Sequence, residues 1–251
     1  MDYKFFVKLF SQERYREDFI NGRIYMNPLN YFMQVEDTSD NNVADKHEGV
    51  SAWLQPSQNT LTLTLPAIPG TEFTESQTIV LTEKDLAGPI AVKMNWVDNI
   101  NVFCMTYLHS HGMFSEPIPE DKIDKLNDYY KLPPEAENLG AYYAVVTDVT
   151  EFMRRLKYAL TRLVDEGVVV DYNCEPVKYF DETTNLQNDQ TSLTSLFYKR
   201  KSYSHQQEYR IAIDRSSGKG EPFVLDIGHI GDIVRIGKTK DFNSTIRFKF
   251  R

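Results

Sequence analysis

Short runs of aromatic and β-branched residues recur along the whole chain, and they constrain its fold more than any other feature. Residues 3–10 (YKFFVKLF), 23–26 (RIYM), 101–108 (NVFCMTYL), 141–146 (AYYAVV) and 209–214 (YRIAID) are the clearest. Such side chains suit a pleated, half-buried surface, so each run is predicted to be a strand. Residues 59–65 (NTLTLTL) alternate strictly, as a half-buried strand does, and Pro66, Pro69 and Gly70 end the run. Further strands are predicted at 78–81, 90–94, 223–227, 233–236 and 246–250. Residues 167–172 and 177–180 read as a strand pair around a turn at 173–176.

Helical periodicity is rarer. Ser11 is placed to cap a helix whose Tyr15 and Phe19 share a face, and Asn21-Gly22 stops it. The strongest helix has Phe152, Leu156, Leu160 and Leu163 or Val164 on one face, with Thr150 as its expected cap. Residues 117–130 and 193–201 are also predicted to be helical, the first because prolines and acidic residues open it. Residues 29–49 turn from aromatic to acidic and Asn-rich and are expected to form a loop. The polar stretch 181–191 is expected to be mobile. With no repeat and no linker, residues 1–251 are predicted to form a single α+β domain. Its sheet should be mixed but largely antiparallel, with a few packed helices.

Composition narrows the function classes. A hydrophobic share of 41% supplies a sizeable core, and a net charge of -8 argues against strong non-specific nucleic-acid binding. Cys104 and Cys174 are too few for a disulfide framework. No apolar run is long enough to span a membrane, and the first residues lack the pattern of a secretory signal. A cytoplasmic protein is expected.

Neither a phosphate-binding glycine loop nor a nucleophile elbow is present, so P-loop, Rossmann and α/β-hydrolase readings fall. Asp45 and Glu48, close after Tyr31, put carboxylates where a metal-ligating or polar site and a solvated acidic loop are equal readings. His109 and His111 lie on one side of an extended segment, but nothing near them completes a metal site. The richest segment is 199–213 (KRKSYSHQQEYRIAI). Lys199 and Tyr203 precede Glu208, and Arg210 follows on the same face of a predicted strand. Glu208 either pairs with its neighbours or points into a cleft whose basic rim receives phosphates.

The order of these segments resembles an uncharacterised family of bacterial and phage proteins with a late Lys…Glu-x-Glu-Tyr-Arg element. The matching stretches are RIYMNPLNYF with Asp45 and Glu48, FCMTYL at 103–108, VKYF at 177–180 and residues 199–213. Gln206 stands where that family has its first Glu, Thr106 where a Ser is usual, and the early Asn-Asp-Pro triplet is replaced.

More distantly, Gln206-x-Glu208 ahead of an apolar strand is similar to the Gln/Glu-x-Glu element of ADP-ribosyltransferases. That likeness implies NAD as a ligand and Glu208 as the carboxylate beside the nicotinamide ribose. Arg210, Lys199, Tyr203, Tyr31, Asp45 and Glu48 are its expected ligand-binding neighbours. The leading expectation is therefore a phage or bacterial conflict protein with an NAD-using site and no metal. One rival is a non-enzymatic acidic inhibitor that blocks a host or defence-system protein. A metal-dependent nuclease built from Asp45, Glu48, Glu208 and Lys199 is a third reading. The acidic charge and the absence of a strand-borne Glu-x-Lys argue against it.

Overall fold

Period-two patterning becomes strand after strand in the computed structural model, which describes residues 4–36, 45, 47–111 and 122–245. The chain opens with β1 (Lys4–Phe10), α1 (Glu13–Ile20), β2 (Arg23–Pro28) and α2 (Leu29–Glu36). Four strands follow: β3 (Val50–Leu54), β4 (Leu61–Leu65), β5 (Gln77–Leu81) and β6 (Ile90–Lys93). Then come β7 (Asn101–His109), α3 (Ile123–Tyr129), β8 (Tyr142–Val146) and α4 (Val149–Asp165). Three more strands are β9 (Val169–Pro176), β10 (Lys178–Phe180) and β11 (Leu186–Gln187). The chain continues with β12 (Tyr198–Arg200), β13 (Glu208–Arg215), β14 (Phe223–Asp226), β15 (Val234–Lys238) and α5 (Phe242–Thr245). This is a single-domain α+β fold around one eight-stranded sheet with antiparallel pairings.

The sheet runs β14-β2-β7-β1-β8-β15, and β13 pairs with both β7 and β9. Its middle is split. The ladder between β1 and β7 stops at Val7 opposite Thr106. Beyond that point β1 stays with β8 as far as Phe10 opposite Tyr142, and β7 stays with β13 as far as Asn101 opposite Ile213. The vacated edge of β7 is taken up again only at Asn101–Val102, by β2.

Each face of the sheet buries a different set of residues. Phe6, Phe103, Met105, Tyr209, Ile211 and Ile213 point to one side and pack with Phe19 of α1 and Phe152, Leu156 and Leu160 of α4. Each such side chain contributes about 1.5–3 kcal/mol when fully buried. On the other side Val7, Leu108 and Val145 meet Leu126 and Tyr130. Val102 and Ala212 meet Leu29, Leu196 and Phe197 there.

Several local expectations are corrected. Residues 29–36 form α2 rather than the start of a loop, because Leu29 is buried against Val97 and Ile100. Asp148, not Thr150, caps α4 by accepting from the Glu151 N–H, and α1 begins after Gln12 without a side-chain cap. Residues 193–201 split into a 3-10 turn at Leu193–Phe197 and strand β12. The predicted turn at 173–176 lies inside β9, whose pairing with β13 continues through those residues, while β10 pairs with β12 in parallel. Within residues 181–191 an unexpected short strand lies along β3: Leu186 pairs with Trp53, and the Asn188 N–H donates to Ser51 O at 2.7 Å. The strictly alternating β4 pairs only with β5, and its residues are largely exposed instead of half-buried. The strand expected at 246–250 and the start of the helix expected at 117–130 lie outside the described residues.

Candidate functional site

The alternation of β13 places Glu208, Arg210 and Ala212 on the face away from the aromatic core. Glu208 heads the strand because Gln207, in a left-handed turn with φ 42°, reverses the chain just before it. Only strong local restraint keeps a non-glycine residue there. The restraint is visible: the Gln207 N–H donates to Ser204 O, and the Tyr107 N–H donates to Gln207 O at 2.6 Å. The Tyr179 hydroxyl accepts from the Glu208 N–H at 2.9 Å.

Four charged side chains interlock on this face. Lys199 of β12 lies 2.7 Å from Glu208 Oε2 and 2.6 Å from Glu48 Oε1. Arg210 reaches Glu208 Oε1 at 2.6 Å and Glu48 Oε1 at 3.1 Å, and also donates to Leu196 O. All four are buried. Burial opposes charge on Glu208, but Arg210 and Lys199 outweigh it and hold the carboxyl well below its ordinary range. Burial likewise pulls Lys199 and Arg210 down, and Glu208 and Glu48 raise both above their ordinary values. The group therefore sets two cations, Lys199 and Arg210, against the two carboxyl side chains of Glu208 and Glu48. Removing one member of such a cluster costs about 3–5 kcal/mol, because a buried charge loses its partner.

The cluster forms part of the wall of a cavity of about 710 Å³ at the split in the sheet. Val7, Lys8 and Leu9 of β1 and Cys104, Met105 and Thr106 of β7 contribute to it, together with Leu132, Pro133 and Ala136. Phe32, His205 and Gln206 line it as well. A volume of this size suits a small-molecule ligand. Lys8 spans the split: its Nζ donates to Cys104 O at 2.7 Å and lies 4.5 Å from the Phe103 ring centroid. Burial holds this amine below the ordinary lysine value, although Cys104 and Glu208 act in the opposite sense. The Cys104 thiol is pushed up to about 12, by burial first and then by the Glu208 charge. It is no nucleophile at neutral pH.

The structure brings Glu208, Arg210, Lys199 and Glu48 together at this wall. Asp45 and Tyr203 stand behind it. Asp45 accepts from Arg200 at 2.7 Å, and the Tyr203 hydroxyl accepts from the same guanidinium at 3.2 Å. Tyr31 is exposed, packs edge-on against Phe32 and does not line the cavity. Sequence reasoning missed Lys8, whose only signal was a cation in the middle of an aromatic strand. It also missed Tyr179, which looked like one more strand aromatic. Gln206 does join the cluster, accepting from Lys199 Nζ at 2.8 Å.

The His109 and His111 rings lie tilted to each other with centroids 3.8 Å apart; Tyr107 stacks on His109, and Tyr129 lies beside His111. Among the described residues no group of three or more side chains is arranged to hold a metal ion. No helix among them is long and apolar enough to cross a membrane. Comparison with protein-family models, curated proteins and solved structures finds no match for this chain.

Proposed function

We propose that this chain is a protein of bacterial and phage conflict whose cavity takes NAD, with Glu208 as the carboxylate that faces charge developing at the nicotinamide ribose. The observation that carries this reading is Glu208 itself, buried yet ionised, at the head of β13 in the wall of a ligand-sized cavity. A carboxylate fixed in advance needs no reorganisation when positive charge develops beside it, and low polarity strengthens its effect. Because its carboxyl is held ionised, its role is electrostatic; it has no proton to give at neutral pH. Lys199 and Arg210 are saturated by Glu48 and Glu208, so their part is to hold that carboxylate in place. The conflict setting rests on the likeness in segment order to the bacterial and phage family.

NAD consumption by wild type and Glu208→Gln, measured at a temperature where both are folded, tests the proposal. Loss of one preorganised electrostatic group should slow turnover by about two to three powers of ten. Equal rates in the two forms, or no consumption by wild type, overturn the enzymatic reading.

The rival, a non-enzymatic acidic inhibitor of a host or defence-system protein, has one observation in its favour. The β4–β5 ribbon puts Leu63 opposite Ile79, with Leu65 on the same face opposite Gln77, and the three apolar side chains are exposed. Exposed apolar side chains grouped on one face mark contact surfaces. Wild type that neither binds nor consumes NAD, but whose inhibition of a defence system is lost in Leu63→Lys/Ile79→Lys, favours this second reading.

A further inference from the structure

We infer that Lys8 is the group in the cavity that receives a phosphate oxygen, and that it makes the cavity selective for phosphate-bearing ligands over their uncharged counterparts. The inference deepens the proposed reading by naming the residue that selects the ligand, and it starts from a charge balance. Among the described residues, the charged side chains lining the cavity are Lys8, Glu48, Lys199, Glu208 and Arg210. Lys199 and Arg210 each contact both Glu48 and Glu208, so those four cancel. Lys8 is left over. No described carboxylate lies within ion-pair distance of it, and its partners are a neutral carbonyl, Cys104 O, and the face of Phe103.

An ammonium carries three donors, and the protein's hydrogen bond to Cys104 O uses one of them. The split in the sheet explains why the amine is there. Past Val7 no strand N–H from β1 reaches the edge of β7, and Lys8 Nζ supplies a donor to that edge instead. One cation thus closes the gap in the ladder and leaves a positive centre at the cavity. The protein's formal net charge is -8, whereas the described charged residues of the lining carry three positive and two negative formal charges. Charge interactions strengthen as the local dielectric falls, which favours an anionic group seated at Lys8. Apolar residues that also line the cavity, among them Leu132, Pro133 and Ala136, suit the uncharged remainder of a nucleotide.

Calorimetric titration of the full chain with ADP and with adenosine tests this. Wild type should bind ADP at least about tenfold more tightly than adenosine, a difference near 1.4 kcal/mol. That preference should shrink as potassium chloride is raised. Lys8→Met should bring the two ligands close to equal affinity, and Lys8→Arg should restore most of the preference. Equal binding of ADP and adenosine by wild type, a preference that survives in Lys8→Met, or no binding of ADP overturns the inference. Should Lys8→Met fail to fold, the comparison of the two ligands in wild type and its salt dependence decide by themselves. ADP preference without NAD consumption removes the enzymatic reading and leaves this one standing. NAD consumption unchanged in Lys8→Met does the reverse.

Discussion

The two faces of β13 meet opposite requirements with alternate residues of one strand. Tyr209, Ile211 and Ile213 look toward α1 and α4 and are held by aromatic and aliphatic packing. Glu208 and Arg210 look the other way and are held by Lys199 and Glu48. Packing on the first face is non-directional and tolerates substitution in proportion to the volume lost. The ionic face depends on partners, so it tolerates loss of a pair better than loss of one member. Stability without function could have come from two apolar faces. The charged one is where the cavity lies.

The largest effect should come from breaking the ionic face one charge at a time. Glu208→Gln leaves Lys199 and Arg210 with Glu48 as their remaining carboxylate and should cost about 3–5 kcal/mol, read from denaturant unfolding. Lys199→Met/Glu208→Leu should be less destabilised than the sum of its two single variants, since partner and charge leave together. Strict additivity would contradict the interlocked description. Ile211→Ala, on the packed face, should cost about 2–5 kcal/mol. Its effect should be nearly independent of pH.

Acid should separate the two faces more cleanly. Glu208 has a folded value below its ordinary 4.5, so its contribution is full above 4.5 and is lost as pH falls through the folded value. Stability should therefore decline on acidification in wild type. Glu208→Gln should show a shallower decline, whereas Ile211→Ala should keep the wild-type slope. Parallel slopes in wild type and Glu208→Gln would show that the carboxylate is not the titrating group.

Smaller effects lie farther from this strand. Cys104 and Cys174, both pushed up to about 12, should resist alkylation at neutral pH until the protein is unfolded. Rapid native labelling of Cys104 would mean an open, polar cavity wall. Smallest of all, Lys131→Ala removes the exposed contact to Asp128 and should leave the melting temperature almost unchanged.

Much of the fold was legible in the sequence because alternation reports directly on which residues face a core. The runs at 101–108, 141–146 and 209–214 lie in β7, β8 and β13, and the apolar face of residues 152–160 is that of α4. What alternation cannot report is pairing. Nothing local shows that residues 173–176 continue a strand along β13, or that 186–187 are held by Trp53 and Ala52. For the site, Glu208 and Arg210 share a face by their spacing alone. Glu48 and Lys199 come to them only through tertiary structure. Lys8 was hidden for the same reason: a cation inside an aromatic strand gains meaning only beside the parting of β1 from β7.

The distance along the chain between these partners also sets a timetable for synthesis. Glu48 and Arg210 are 162 residues apart in sequence. At about 5–20 residues per second a ribosome takes roughly 10–30 s to make the stretch between them. Until β13 emerges, β7 lacks one neighbour along most of its length, and Glu48 remains hydrated on an unfinished surface. The sheet therefore closes late, from contacts that are distant in sequence and slow to form. A chain that stops short of residue 208 lacks the strand that joins β9 to β7 and two of the four interlocked charges, so cavity and fold are completed in the same step.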